Sequence, residues 1–137
     1  KTGRVGELKY PPEKQLPKPP SEYFRECVWV GSSFPSPGEA AVRHDLGIDH
    51  YMWGSDYPHH ESTYPNTREG IRRAFAGTDE AELRQVLGGN AAELYGFDLD
   101  RLGGVAAHVG PKVAEMAVPL GPDEIPEGNF SPAFSKA

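Results

Sequence analysis

A single cysteine, Cys27, is all the thiol chemistry that the 137 residues carry. One thiol excludes an internal disulfide and suits a reducing compartment, so a cytoplasmic location is expected. Because Cys27 opens an apolar run, it is expected to be buried and inert rather than a nucleophile. No apolar run approaches the roughly 20 residues that a membrane span needs, and no n-region/h-region signal opens the chain. A membrane role is therefore not expected. With a net charge of -6 and no basic stripe, nucleic acid is not the expected partner either. His-x-His occurs nowhere, and no internal repeat is visible. Hydrophobic residues reach only 37% and mean hydropathy is -0.57, so much of the chain is loop or surface. Gly (16) and Pro (14) punctuate it heavily. The length suits one domain with a modest core.

What is present is concentrated in the run Tyr51-Met52-Trp53-Gly54-Ser55-Asp56-Tyr57-Pro58-His59-His60-Glu61. An apolar stretch ends on a carboxylate, Tyr-Pro stops it, and two imidazoles and a second carboxylate follow. Pro58 has no N–H, so a central strand cannot continue through it, and it pushes Tyr57 away from helical geometry. This predicts Asp56 at the last position of a strand, with His59, His60 and Glu61 in the loop beyond. A carboxylate at the C-terminal rim of a parallel strand is where (β/α) enzymes keep their chemistry. An Asp that merely caps the following turn would carry the same local pattern, and the two imidazoles would then be solvated loop residues.

Residues 1–20 hold Pro11, Pro12, Pro17, Pro19 and Pro20 among Lys and Glu, and read as a Pro-rich surface linker with net positive charge. Ser21 to Glu26 is expected to make one short helical turn. Cys27–Phe34 reads as a buried strand. Ser36-Pro37-Gly38-Glu39 has the signature of a helix start, with Ser capping, Pro at the first position and Glu completing a capping box. That helix should end at Gly47, with a short apolar stripe from Val42 to Leu46. A second strand is expected over Asp49–Asp56, opened by His50. Two strands around a helix form a βαβ unit, so they should be parallel and covered on both faces. Further helices are expected from Asn66 to Ala76, burying Ile71, Ala74 and Phe75, and from Asp79 to Gly88-Gly89. Asn90-x-x-Glu93 should cap a short turn ending at Gly96, and Leu99–Val109 one more helix, weakened by Gly103-Gly104. From 118 to 137 the chain reads as an irregular tail unless it docks on something. Only two strands are expected, and parallel sheets occur almost only in larger assemblies. The pattern is that of part of a fold.

Trp-Gly-Ser-Asp-Tyr-Pro-His (53–59) and Leu-Gly-Gly-Asn-Ala-Ala-Glu-Leu-Tyr-Gly-Phe (87–97) resemble the C-terminal end of the amidohydrolase-2 family, the group of aminocarboxymuconate-semialdehyde decarboxylase and related metal-dependent hydrolases and decarboxylases. The resemblance runs in register over 21–130. It implies an α/β fold, the C-terminal part of a TIM (β/α)8 barrel, with strands seven and eight and their helices within 21–117. It further implies that Asp56 is the catalytic carboxylate and a metal ligand facing a divalent ion, zinc by expectation. A carboxylate beside such an ion stays ionised and can take a proton from a water whose pKa the ion lowers to near 7. His59 and Glu61 would face the mouth that takes a small carboxylated substrate, and Ser33 and Phe34 would line the same rim.

The departures weigh as much. The family's His-x-His and its mid-barrel His are missing, since His44, His50 and His108 fall at expected helix or strand positions. A barrel needs ~250 residues. The leading expectation is thus the C-terminal segment of a hydrolase or decarboxylase, inactive alone, completed by a missing N-terminal barrel portion or held in a homo-oligomer. A non-catalytic remnant that completes another chain's barrel is the alternative. A self-contained zinc site of Asp56, His59, His60 and Glu61 is disfavoured, because neighbouring loop His residues rarely both reach one ion in tetrahedral geometry.

Overall fold

The computed structural model describes residues 16–135, so most of the expected linker over 1–20 lies outside the described residues. The chain enters on α1 (Pro20–Cys27), with Pro at a first-turn position where its missing N–H does no harm. The strand expected from Cys27 is shorter than that. Helix α1 runs through Cys27, whose thiol is exposed, and only Val30–Ser33 forms β1. No residue of α1 is buried, so nothing there could shelter a thiol. Beyond the ladder to β2 (Tyr51–Gly54) the flanking residues have no partner strand to hold them extended.

The two strands pair in parallel, as the βαβ pattern predicts, in the register Val30–Tyr51, Gly31–Met52, Ser32–Trp53 and Ser33–Gly54. Among the described residues these are the only strands. Between them Ser36 caps α2 (Pro37–Ala41): its hydroxyl accepts from the Glu39 N–H, and the Glu39 carboxylate accepts from the Ser36 N–H at 2.8 Å. That backbone bond holds the Glu39 carboxyl below its usual pKa. The helix does not run unbroken to Gly47. It breaks at Val42 and resumes as α3 (Arg43–Leu46), closed by Gly47 at φ 105°. Val42 is exposed, and Ala40 and Leu46 turn inward instead. β2 also starts late, because a 3-10 turn occupies Ile48–His50 and the His50 ring stacks on Trp29 at 4.3 Å.

After β2 the chain is helical. Helix α4 (Thr67–Ala74) buries Ile71 and Ala74 with Phe75 just past its end, the stripe expected of it. Asp79 caps α5 (Glu80–Arg84), accepting from the N–H groups of Ala81 and Glu82. Gly88-Gly89 does not end this helix, contrary to the expectation from sequence. A π turn over Gln85–Gly89 carries the helix into α6 (Asn90–Tyr95), which Gly96 closes at φ 67°. A π turn inserts one residue and so rotates the helix beyond it. Here it turns Asn90 into the core, where the amide donates to both Ile48 O and Tyr51 O at 2.7 Å. Asn90 therefore pins the start of β2 rather than capping α6.

Helix α7 (Leu99–Val109) is present as expected but buries none of its residues, and α8 (Val113–Met116) packs Met116 into the core. The tail is irregular yet docked. Arg72 donates to Val118 O, Pro119 O and both oxygens of Glu124, and Phe134 is buried. The core is a cluster of Ala40, Tyr51, Ile71, Ala74, Phe75, Leu83, Val86 and Met116, against which Val30 and Trp53 of the sheet pack. The opposite face carries Gly31, Ser33, Met52 and Gly54. A Cβ placed on Gly31 or Gly54 would meet nothing within 4 Å, although Met52 on the same face is buried. Among the described residues no helix is long and apolar enough to cross a membrane.

Candidate functional site

Parallel pairing brings the ends of β1 and β2 to one edge of the sheet. Phe34 N–H donates to Gly54 O at 2.9 Å, extending the ladder by one bond past Ser33. Asp56 is not the last strand residue as expected. It lies two residues beyond Gly54, in left-handed backbone at φ 60°, and Phe34 at the end of β1 is left-handed too, at φ 40°. Non-glycine residues seldom adopt this region, although Asp tolerates it better than most. Two such residues at one sheet end mark where both strands turn sharply away. Tyr57–Pro58 and Tyr64–Pro65 are both cis, and the turn comes at the Tyr-Pro pair that the sequence singled out.

The turn folds the loop back over Asp56. His59 N–H donates to Asp56 O at 2.8 Å, and its Nδ1 lies 3.4 Å from Asp56 Oδ2. The same Nδ1 is 3.4 Å from the backbone N–H of Glu61 and 4.0 Å from Glu61 Oε2. His59 Nδ1 thus faces a donor and two acceptors. A neutral ring protonated on Nε2 accepts from Glu61 N–H, whereas protonation on Nδ1 turns that nitrogen into a donor facing the two carboxylates. The His60 ring packs on His59 at 4.4 Å, and its Nε2 lies 3.8 Å from Glu61 Oε1. All four side chains are substantially exposed, Asp56 at 41% and His59 at 49%.

Of the residues the sequence nominates, Asp56, His59 and Glu61 come together. Ser33 and Phe34 reach the same sheet end, but among the described residues no hydrogen bond joins either to the cluster. The donors here do not make a metal centre. Among the described residues no group of three or more His, Cys, Asp or Glu side chains is arranged to hold an ion. His44 pairs with Glu82 and His108 with Gly104 O, both away from the loop.

Three features escaped sequence reasoning. Tyr57 and Tyr64 meet edge to face at 5.1 Å; each precedes a proline in a loop, where their seven-residue spacing carries no helical meaning, so no pattern flags them. Thr63, fully buried, donates its N–H to Ser55 O and closes the loop. The tail returns to this loop through Asn129, which donates to Asn66 Oδ1 at 2.9 Å, leaving a recess of about 330 Å³ lined by His60, Ser62, Tyr64, Asn66, Asn129 and Phe130. The acidic, proline-rich composition of the tail hid that contact.

Comparison with known proteins gives a match to one family model, described as Amidohydrolase, over residues 14–97. This spans β1, β2 and the helices through α6, and it stops before α7 and the tail. No curated protein and no solved structure matches the chain.

Proposed function

The chain belongs to the amidohydrolase family, and from that premise we propose that it is the C-terminal part of a (β/α)8 barrel whose catalytic rim carries Asp56. The observation that supports this best is the juxtaposition at one sheet end: β1 and β2 are parallel, and Asp56, His59, Glu61 and Ser33 all gather where the strands finish. In barrel enzymes that end holds the chemistry. The face of Gly31, Ser33, Met52 and Gly54, with open space over both glycines, would form part of the inner wall of such a barrel.

In this reading the enzyme hydrolyses or decarboxylates a small carboxylated substrate, as relatives of the aminocarboxymuconate-semialdehyde decarboxylase kind do. Asp56 accepts the proton, and His59, hydrogen-bonded to its backbone, holds or relays it. Glu61, Ser33 and Phe34 line the substrate's approach. A divalent ion, zinc in this reading, would supply Lewis acidity to the complete enzyme. The described residues do not make its site, so its other ligands belong to the rest of the barrel. A rim on which Asp56 is the one assigned ligand also suits a second reading, a non-catalytic segment that completes another chain's barrel.

The two readings separate in a barrel completed with the strands that precede these. Asp56→Asn keeps size and shape and removes basicity, and loss of a proton acceptor is expected to lower kcat by about 10²–10⁴-fold. His59→Ala should act more mildly and mainly on KM. Unchanged turnover in Asp56→Asn would leave the non-catalytic reading standing.

A further inference from the structure

The residues beyond the family match place the C-terminal tail in contact with the loop that carries Asp56. Ser131 turns the tail inward, its hydroxyl accepting from Ala133 N–H, and Phe134 is buried against α4. The meeting point is Gly70. A Cβ there would stand 3.0 Å from Thr63 Cγ2 and 3.6 Å from Phe134 Cζ. Glycine at this position lets Thr63 and Phe134 approach the same stretch of α4. Thr63 in turn bonds Thr67 Oγ1 through its hydroxyl at 3.1 Å and donates its N–H to Ser55 O at 3.3 Å. Ser55 is the residue before Asp56, and its own hydroxyl accepts from Tyr57 N–H at 3.3 Å. A continuous set of contacts therefore runs from Phe134 through Gly70 and Thr63 to Ser55 and the left-handed turn at Asp56. Left-handed backbone at a non-glycine residue carries a cost that its surroundings help to offset.

We propose that Phe134 is a positioning residue for Asp56, acting through the brace formed by Gly70, Thr63 and Ser55, so that the tail is part of the active-site machinery. This rests on the reading of Asp56 as the catalytic carboxylate. The brace can be measured without activity, so failure of one does not decide the other. The other wall of the tail, Asn129 on Asn66, ties the far side of the same loop.

The test is hydrogen–deuterium exchange, read by mass spectrometry, on the full 137-residue chain. Phe134→Ala should speed exchange over 55–63 on the order of tenfold, together with the tail, while peptides from β1 and α6 stay as they were. Faster exchange confined to 126–135 overturns the proposal. Should Phe134→Ala loosen the whole chain, Gly70→Ala decides. Its new methyl meets Thr63 Cγ2, so it should speed exchange over 55–63, and adding Thr63→Ser, which removes that methyl, should restore it. Failure of Thr63→Ser to restore protection overturns the proposal.

Discussion

Asp56 sits in left-handed backbone at φ 60°, a region that costs a non-glycine residue, though Asp less than most. Glycine adopts φ near 60° freely. Asp56→Gly should therefore leave the thermal midpoint unchanged or raise it, with a gain of up to about 1 kcal/mol, while removing the carboxylate proposed as proton acceptor. A marked fall in midpoint would mean that the carboxylate is structural. Glu124 makes a second prediction at this scale. The Arg72 guanidinium, helped by the Gly121 N–H, lowers its carboxyl from 4.5 to about 2. A depressed folded value stabilises above the unfolded one and is lost as protons bind. The contribution is thus complete above pH 4.5 and disappears as pH falls toward 2. Thermal melts across that window should show Glu124→Gln losing less stability with acid than the parent. Parallel acid profiles would show that the pair does not hold the tail.

Elements were legible where they carry their own signals. Ser36 with Glu39, Asp79, Gly47 and Gly96 each fulfil a local rule, because caps and left-handed closures depend on a few adjacent residues. Boundaries failed where the deciding partner is distant. Cys27 reads as strand by apolarity, yet the ladder that would hold it begins only at Val30 opposite Tyr51. Gly88-Gly89 and Asn90 read as a stop and a cap, but the π turn and the two β2 carbonyls give Asn90 another use. Each of those bonds, made at 2.7 Å, leaves a carbonyl without its donor when the amide is removed. Asn90→Ala should destabilise by about 1–3 kcal/mol, read from urea unfolding. Asn90→Asp should be worse, since it sets oxygens against the Ile48 and Tyr51 carbonyls. Equal stability of Asn90→Asp and the parent would show that the amide does not hold β2.

At the scale of the whole molecule, the parallel order of the strands and a loop carrying His59 and Glu61 just past β2 were legible from the βαβ pattern and the Tyr-Pro stop, whereas Asp56 falls two residues beyond the strand rather than on its last position. The convergence of His59 Nδ1 on Asp56 was not legible, because it depends on a left-handed residue that no periodicity encodes. The docking of the tail was hidden for the same kind of reason: a clamp between Arg72 and Glu124 spans too much sequence to leave a local trace. The metal is the other consequence at this scale. With Asp56 the one ligand the resemblance assigns, a calorimetric zinc titration of the chain should show only weak, scattered uptake. A one-to-one submicromolar site lost in Asp56→Ala would contradict that.

The central claim is that these residues form part of a larger barrel. Among the described residues both strands have an unpaired outer edge, the space over Gly31 and Gly54 is open, and α7 exposes Leu99, Val105 and Val109. Open strand edges and contiguous apolar surface drive association. Sedimentation equilibrium of the 137-residue chain over a range of concentrations tests this most directly. Mass that rises with concentration, and returns to a defined one-to-one complex when the preceding barrel strands are supplied, is the predicted result. A monomer at every concentration that ignores those strands would contradict it.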